Sequence, residues 1–222
     1  MQSMNTLSPK KIAILISGSG SNLQAIIDHQ KEHAELYEIA LVISNRPDAY
    51  GITRAQNAGI QTLVIDHKKF ETRESFDAVL QKAIDSINID LIVLAGFMRI
   101  LTTGFTQHFL GKMLNIHPSL LPKYTGLNTH QRALEAGDKK HGLSIHFVTA
   151  ELDGGPVILQ AEVPIETNDT EESLANKVHT QEHIAYPLVV EWFVTGKLAL
   201  KNNQAWLNQS CLHTPILLNN LN

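Results

Sequence analysis

Residues 11–31, KIAILISGSGSNLQAIIDHQK, contain the pattern that decides the fold. The apolar run 12–16 predicts a buried strand, because a strand that is covered on both faces is apolar throughout. Serine and glycine follow over 17–21, and the apolar residues beyond them recur at helical spacing. A strand, a tight turn and a helix in this order favour an α/β protein with a parallel sheet.

The alternation of strands and helices continues through the first half of the chain. Further strands are predicted near 39–44, 62–65, 91–96 and 112–117, and the helices near 21–31, 49–58, 72–87 and 105–109. Two more strands, 142–148 and 156–163, are joined by a short loop, which favours antiparallel pairing. The predicted fold is therefore a mostly parallel, twisted, Rossmann-like sheet flanked by helices, with antiparallel strands added in the C-terminal half.

The last part of the chain predicts a long helix followed by a closing hairpin. Asp169 and Glu172 are a candidate capping box at the start of the helix. Pro187 should kink or divide the helix, and Gly196 should end it. Apolar residues at 198–200 and 205–207 predict the hairpin. Disordered ends are expected on both sides of a single domain over 11–210: an N-terminal extension, 1–10, and a tail, 211–222.

Composition excludes several classes of protein. The 222 residues are 43% hydrophobic and 18% charged, which is typical of a globular domain, and the net charge of −4 argues against a nucleic-acid-binding face. No apolar stretch has membrane-spanning length, and 12–16 is too short for a signal-peptide core. Cys211 is the only cysteine, so an intrachain disulfide is excluded. We expect a cytoplasmic protein with small-molecule substrates, no nucleic acid or membrane partner, and a monomeric or homodimeric state.

The glycine-rich turn after the first strand is a candidate phosphate site. Its glycines bring backbone N–H groups close to a ligand, and the helix N-terminus adds positive potential. A dinucleotide fingerprint would need glycine or alanine in place of Leu23 and an acid after the second strand, where residues 44–46 read Ser-Asn-Arg. One phosphate is therefore favoured over a pyrophosphate. The alternative is that these residues only turn the chain and cap the helix.

Asn115 and His117 are candidate catalytic residues at the end of a strand. Side chains alternate along a strand, so both point to one face, and Pro118 and Pro122 fix the loop that follows. Asp153 arrives in a later loop. An amide can donate a hydrogen bond to an oxyanion, a histidine can move a proton, and a nearby carboxylate favours the imidazolium form. This trio suits attack on a carbonyl group without a covalent enzyme intermediate.

The other histidines carry no catalytic assignment. His130 and His141 fall in polar stretches and are expected to be solvated, whereas His146 is expected to make a supporting hydrogen bond. No HExxH or comparable ligand spacing occurs, so no metal is predicted. Lys177 is either a phosphate contact or a solvent-facing charge.

Several segments closely resemble the folate-dependent phosphoribosylglycinamide formyltransferase family. They are spread over about 11–207 and comprise Leu15–Leu23, Leu94–Leu101, Asn115–Pro122, His141–Thr149, Asp153–Val157 and Gln181–His183. The resemblance implies that the catalytic residues are Asn115, His117 and Asp153. It implies that the ribonucleotide is bound through its phosphate and its ribose or glycinamide part by Gly20, Ser21, Asn22 and Glu182. It implies that the formyl-folate is bound by Arg73, Met98, Arg99, Ile100, Leu101 and Asn115, with the loop 150–153 completing that site.

The resemblance also implies the reaction. Such an enzyme transfers the formyl group of its co-substrate 10-formyltetrahydrofolate to the amine of N1-(5-phosphoribosyl)glycinamide, in de novo purine biosynthesis. It implies one formyltransferase domain, with a phosphate-binding half over 11–111 and a catalytic and folate-binding half over 112–210.

Three other functions are weighed against this one. A formyltetrahydrofolate deformylase would use water in place of the amine, and its relatives carry an extra N-terminal module, whereas only about ten residues precede the first strand here. A methionyl-tRNA formyltransferase would need a basic C-terminal RNA-binding domain, and no basic patch is found. A non-catalytic nucleotide-binding module would not need the Asn115, His117 and Asp153 trio.

Overall fold

The computed structural model describes residues 8–221 of the chain. Its strands are β1 (Lys10–Ile16), β2 (Tyr37–Ser44), β3 (Thr62–Val64), β4 (Leu91–Leu94), β5 (Met113–His117), β6 (Lys140–Phe147), β7 (Val157–Pro164), β8 (Leu198–Lys201), β9 (Gln204–Leu207), β10 (Ser210–Cys211) and β11 (Ile216–Leu217). Its α-helices are α1 (Ser21–Glu32), α2 (Tyr50–Asn57), α3 (Arg73–Asp85), α4 (Thr103–His108), α5 (Thr129–Glu135) and α6 (Glu171–Val194).

Eight strands form the main sheet, in the order β11-β7-β6-β5-β4-β1-β2-β3. The strands from β3 to β5 in this order pair in parallel, whereas β6 runs antiparallel to both β5 and β7. The predicted fold class is confirmed. Because β1 lies between β2 and β4, the sheet is wound outward in both directions from this point. Open α/β sheets bind ligands beyond the carboxyl ends of the strands at such a switch point.

Two apolar layers cover the main sheet. Ile12 and Ile14 pack in one cluster with residues of α1, α2 and α6, and Leu15 packs in the other with residues of α3 and α4. Successive residues of β1 therefore serve opposite faces, as the period of a strand requires. Both faces are covered, which explains why 12–16 is uniformly apolar. Truncation of one of these side chains to alanine would cost about 2–5 kcal/mol of stability.

Helix α6 begins with a capping box one residue away from the predicted one. The Thr170 hydroxyl accepts a hydrogen bond from the Ser173 N–H (3.1 Å), and the Ser173 hydroxyl accepts one from the Thr170 N–H (2.9 Å). The prediction that Asp169 and Glu172 form the box is wrong, because neighbouring Asp and Thr residues are equally good sequence signals for an N-cap. The helix is continuous through Pro187, so this residue does not divide it, and the alternative expectation of a kink stays a prediction.

The end of the chain is more ordered than predicted. The hairpin of β8 and β9 is confirmed, and β10 extends it to a three-stranded sheet. Ile216 and Leu217 pair in parallel with β7, so the expectation of a disordered tail is wrong for these residues. Most of the N-terminal extension predicted over 1–10 lies outside the described residues, and Lys10 already belongs to β1. No helix within 8–221 is both long enough and apolar enough to cross a membrane.

Candidate active site

A cleft of about 820 Å³ lies at the carboxyl ends of β1, β4 and β5. It is lined by the glycine turn after β1, by the segment 94–101 after β4, and by Asn115–Pro118. The Ser17 hydroxyl fastens the strand ends together, since it accepts from the Met98 N–H (2.8 Å) and donates to the side chain of Asn45. The predicted phosphate turn and the predicted catalytic strand therefore meet in one cavity.

The glycine turn has the geometry of an anion site. Gly20 precedes α1 with φ of 71°, and a Cβ there would lie 2.7 Å from the Cα of Gly51, so only glycine fits. The turn is held from outside by the Gly51 N–H, which donates to the Gly18 carbonyl (3.0 Å). No side chain caps the start of α1, so the N–H groups of its first turn keep their capacity to bind a ligand.

Asn22 and Glu182 join the turn to helix α6. The Glu182 side chain is buried, and its Oε2 accepts a hydrogen bond from Nδ2 of Asn22 (2.8 Å). Oδ1 of Asn22 is buried and has no hydrogen-bond partner among residues 8–221, and both residues line the cleft. The pair thus presents acceptor oxygens, which suit an amine or a hydroxyl group of a ligand. Lys177 does not line the cleft, because its ammonium group bonds Asp169 (2.7 Å).

Asn115 is oriented by His146 on the neighbouring strand. The two residues are opposite each other in the antiparallel pairing of β5 and β6, and Nδ2 of Asn115 lies 3.1 Å from Nε2 of His146. The second ring nitrogen, Nδ1, donates to the Phe147 carbonyl (2.8 Å), so Nε2 is the acceptor. Burial lowers the pKa of His146 and keeps the ring neutral. The expected supporting role of His146 is confirmed, and the second amide proton of Asn115 remains for a ligand.

His117 has an acceptor oxygen at each ring nitrogen. Its Nε2 lies 2.8 Å from the Tyr124 carbonyl, and its Nδ1 lies 3.5 Å from Oδ2 of Asp153. The His117 and Asp153 side chains are each only 7% exposed. A carbonyl only accepts hydrogen bonds, so Nε2 of His117 is the donor to Tyr124, and Nδ1 is the nitrogen that faces the Asp153 carboxylate.

Asp153 reaches His117 from the loop between β6 and β7. Its backbone is left-handed, with φ of 52°, and its Oδ2 accepts a hydrogen bond from the Gly126 N–H (2.8 Å). Gly155 passes so close to the Phe147 carbonyl that a Cβ would overlap it. The Asp-Gly-Gly sequence therefore turns the chain tightly and aims the carboxylate into the cleft.

Exposed apolar side chains form another wall of the cleft. Met98, Ile100, Leu127 and Leu152 are 64%, 54%, 67% and 52% exposed, and all line the cavity. Exposed apolar groups gathered at one cavity mark a ligand site. Arg99 and Leu101 also line it, whereas Arg73 is exposed at the start of α3 and is outside the lining residues.

Several lining residues had no binding or catalytic role predicted from the sequence. They are Arg46, Gly126, Leu127, Asn128, Thr129, His130, Glu171 and His179. Three of them, 126–128, come from the loop that leads from β5 into α5, and Thr129 begins this helix; Gly126 and Asn128 have positive φ. The Gly-Leu-Asn sequence was the available signal for a turn at this place.

The expectation that His130 and His141 are solvated is wrong. His141 is buried in β6, and its Nε2 lies 3.0 Å from Nδ1 of His130. Burial lowers the pKa of His141 to about 4 and also lowers that of His130. The two rings share one hydrogen bond beside the cleft, which is compatible with neutral rings at pH 7.

Comparison with known proteins agrees with this geometry. The chain is 54% identical over 197 residues to the phosphoribosylglycinamide formyltransferase of Escherichia coli (strain K12), covering 89% of this chain and 93% of that protein. The enzyme of the same name from Haemophilus influenzae is 52% identical over 203 residues, covering 91% and 96%. The solved structure of the Coxiella burnetii phosphoribosylglycinamide formyltransferase has a TM-score of 0.89 and 52% identity, covering 94% and 100%. The formyl transferase family model matches residues 10–190. The chain belongs to the formyl transferase family.

Proposed function

We propose that this chain transfers the formyl group of 10-formyltetrahydrofolate to the amine of N1-(5-phosphoribosyl)glycinamide, a step of purine biosynthesis. High identity over nearly the whole chain to relatives that carry this enzyme's name supports the reaction. The same relatives give no support to the deformylase alternative. Formyl transfer needs a formyl donor, and the choice of a reduced folate as donor is the finer part of the proposal.

The convergence of three side chains carries the proposal. Asn115 and His117 end one strand, and Asp153 arrives from a loop of the other half of the chain, yet all three line one cleft with the glycine turn. An amide donor, an imidazole and a carboxylate around one space are the groups that an acyl transfer to an amine needs.

The ribonucleotide would bind across the turn and α6. The N–H groups at the start of α1, around Ser21, would hold its phosphate, because a helix N-terminus favours an anion. The acceptor oxygens of Asn22 and Glu182 would receive hydrogen bonds from its ribose or its amine. Gly20, Ser21, Asn22 and Glu182 are thus the proposed ribonucleotide site, and all four line the cleft.

The folate would bind against the exposed apolar wall. Met98 and Ile100 offer a surface for its flat ring system, and the formyl group would then extend toward Asn115. Arg99 and Leu101 belong to the same proposed site. We place Arg73 farther out, where only the extended end of the folate would reach it.

In the proposed reaction the unprotonated amine attacks the formyl carbon and the carbonyl oxygen becomes negative. The free amide proton of Asn115 stabilises this oxygen, together with a proton on Nδ1 of His117 that is shared with Oδ2 of Asp153; Nε2 is already bonded to the Tyr124 carbonyl. One such donor is worth ~10²–10³ in rate. The bond from carbon to the folate nitrogen then breaks. The attacking nitrogen loses one proton and the leaving nitrogen gains one, with Asp153 and His117 as the nearest relay groups.

The two halves of the chain would supply different parts of the site. We propose that residues 11–111 supply the phosphate turn and the first part of the folate wall, and that 112–210 supply the catalytic trio. The cytoplasmic location and the monomeric or dimeric state remain predictions of the sequence.

The test follows folate absorbance after the purified protein is mixed with 10-formyltetrahydrofolate, with and without N1-(5-phosphoribosyl)glycinamide. The proposal expects turnover only when the ribonucleotide is present, with formylated ribonucleotide formed in equal amount. Equal turnover without it would identify a hydrolase and overturn the proposal. His108→Ala removes an exposed histidine at the end of α4. This variant is the control for activity that is lost through substitution and purification alone.

A further inference from the structure

We propose that His29, His33 and Glu191 form a binding site for one divalent transition-metal ion, with Zn²⁺ as the best-suited ion. His29 and His33 are four residues apart at the end of α1, and Glu191 lies near the end of α6. One ligand atom from each residue lies within 4.8 Å of the others. Two imidazoles and a carboxylate are a ligand set that Zn²⁺ accepts, with a fourth position left for water.

The separation of two ligand atoms already fits a bound ion. Nε2 of His29 lies 3.4 Å from Oε2 of Glu191. Two ligand atoms about 2.0 Å from a tetrahedral Zn²⁺ are about 3.3 Å apart. The His33 ring lies 4.3 Å from the His29 ring, centroid to centroid, and the His33 side chain is 37% exposed, so it has room to turn inward.

The hydrogen bonds around His29 allow one ring nitrogen to face an ion. The Tyr37 hydroxyl lies 2.9 Å from Nδ1 of His29 and 3.3 Å from the Ile26 carbonyl. When the hydroxyl donates to this carbonyl, it accepts from Nδ1 of His29. Nε2 of the neutral ring then turns its lone pair toward the carboxylate of Glu191. Only a proton or a cation between the two atoms makes this arrangement favourable.

Tyr37 supports the same conclusion, because its hydroxyl contacts the ring nitrogen of His29 that faces away from Glu191. Metal-binding histidines usually donate their other ring N–H to a fixed acceptor, which sets the tautomer and the ring orientation. The Tyr37 side chain is fully buried, and its hydroxyl lies 2.9 Å from Nδ1 of His29. It therefore holds His29 with Nε2 free for an ion.

The ion would join the two helices that also present the ribonucleotide site. Asn22 and Glu182 bond each other at one level of the α1–α6 contact, and His29 and Glu191 meet about two turns farther along both helices. The sequence predicted no metal because Glu191 is distant from the two histidines along the chain, and no local ligand spacing reveals it.

The experiment titrates ZnCl₂ into the full chain, stripped with a chelator and free of any polyhistidine tag, by calorimetry. Absorption of bound Co²⁺ is the second readout, since four-coordinate Co²⁺ has intense visible bands. We expect one ion per chain and a thermal midpoint that rises with Zn²⁺. His29→Gln, His33→Gln and Glu191→Gln should each weaken binding about tenfold or more, and Tyr37→Phe about tenfold.

The matched control is His108→Gln. His108 also faces a carboxylate, Asp85, at 3.0 Å, but the described residues place no third ligand there. This variant should bind Zn²⁺ as the wild type does. Unchanged unfolding midpoints of the His29 and His33 variants in chelator would show that they fold. The proposal is overturned if the wild type shows no saturable one-to-one binding, or if the His29 and His33 variants keep it.

Discussion

The catalytic groups are held in two different ways. Asn115 and His117 lie on β5, inside the main sheet, with neighbours bonded on both sides. Asp153 lies on a loop, in left-handed backbone, and reaches the site through one hydrogen bond from the Gly126 N–H and the contact with His117. The strand fixes two of the groups before any ligand binds, whereas the third depends on the loops 118–128 and 148–156 staying together.

Because of this difference, the strand residues and the loop residue should respond differently to substitution. Asn115 and His117 are positioned by sheet pairing, and Asn115 also by the buried His146, so their replacement should remove chemistry while β5 keeps its place. The loop residue has a double task, since its carboxylate serves His117 and also ties the two loops. A substitution that keeps one of these two roles of Asp153 and removes the other therefore shows which role matters for turnover.

The largest effect is expected for His117→Ala. It removes a donor to the developing oxyanion and the proton-transfer group, so kcat should fall ~10³–10⁴-fold. Steady-state kinetics measures this, with His108→Ala as a matched control that removes an exposed histidine outside the cleft. Turnover within a few-fold of the wild type would show that the strand-held imidazole is not catalytic.

Asp153→Asn comes next, with a fall in kcat of ~10²-fold. The amide oxygen can still accept the Gly126 hydrogen bond, so the loop contact survives while the charge beside His117 is lost. The control is Glu151→Gln, which removes an exposed carboxylate from the same loop and the same cleft lining. An equal fall for both variants would mean that loop charge in general, and not the pairing with His117, matters.

Glu182→Gln should act on binding more than on chemistry. Loss of a charged acceptor costs about 1.5 kcal/mol or more, which raises the KM for the ribonucleotide about tenfold while kcat changes little. Glu171→Gln changes an exposed acid at the rim of the cleft and should leave both constants near wild type. A fall in kcat for Glu182→Gln without a change in KM would contradict the proposed contact with bound substrate.

The smallest effect on activity is expected for Asp169→Asn, outside both regions. Hydrogen bonds from Lys177, the Glu166 N–H and Ser173 lower the pKa of the Asp169 carboxyl from 3.8 to about 2. A lowered pKa stabilises the fold above about pH 4 and loses this contribution as the pH falls toward 2. The variant should therefore have a lower unfolding midpoint at pH 6 than the wild type and unchanged kcat. A difference in midpoint that persists undiminished near pH 2 would contradict the charge explanation.

The sequence alone predicted the structure correctly where the local residue pattern determines which side chains are buried. The apolar run of β1 and the glycines after it need no distant partner to be recognised, and Asn115 and His117 follow from the alternation of a single strand. Asp153 was grouped with them by its chemistry, and the motif resemblance supported this, but nothing local says where a loop some 36 residues later will fold.

Three of the errors share one physical cause, which is contact between distant segments. Ile216 and Leu217 form a strand only because the edge of β7 offers them hydrogen bonds, and two residues give no periodic signal. His141 lies in a polar stretch, yet pairing with β7 buries it. The lining residues 126–129 were missed for the same reason, since their position depends on the Gly126 bond to Asp153.

The most direct test of the central claim is a double-mutant cycle on kcat with His117→Ala, Asp153→Asn and the combined variant. If the strand-held imidazole and the loop-held carboxylate act as one unit on one reacting carbon, the combined variant should be within a few-fold of His117→Ala alone. A combined loss equal to the product of the two single losses would show that the two groups act independently, and would contradict the convergence proposed for this cleft.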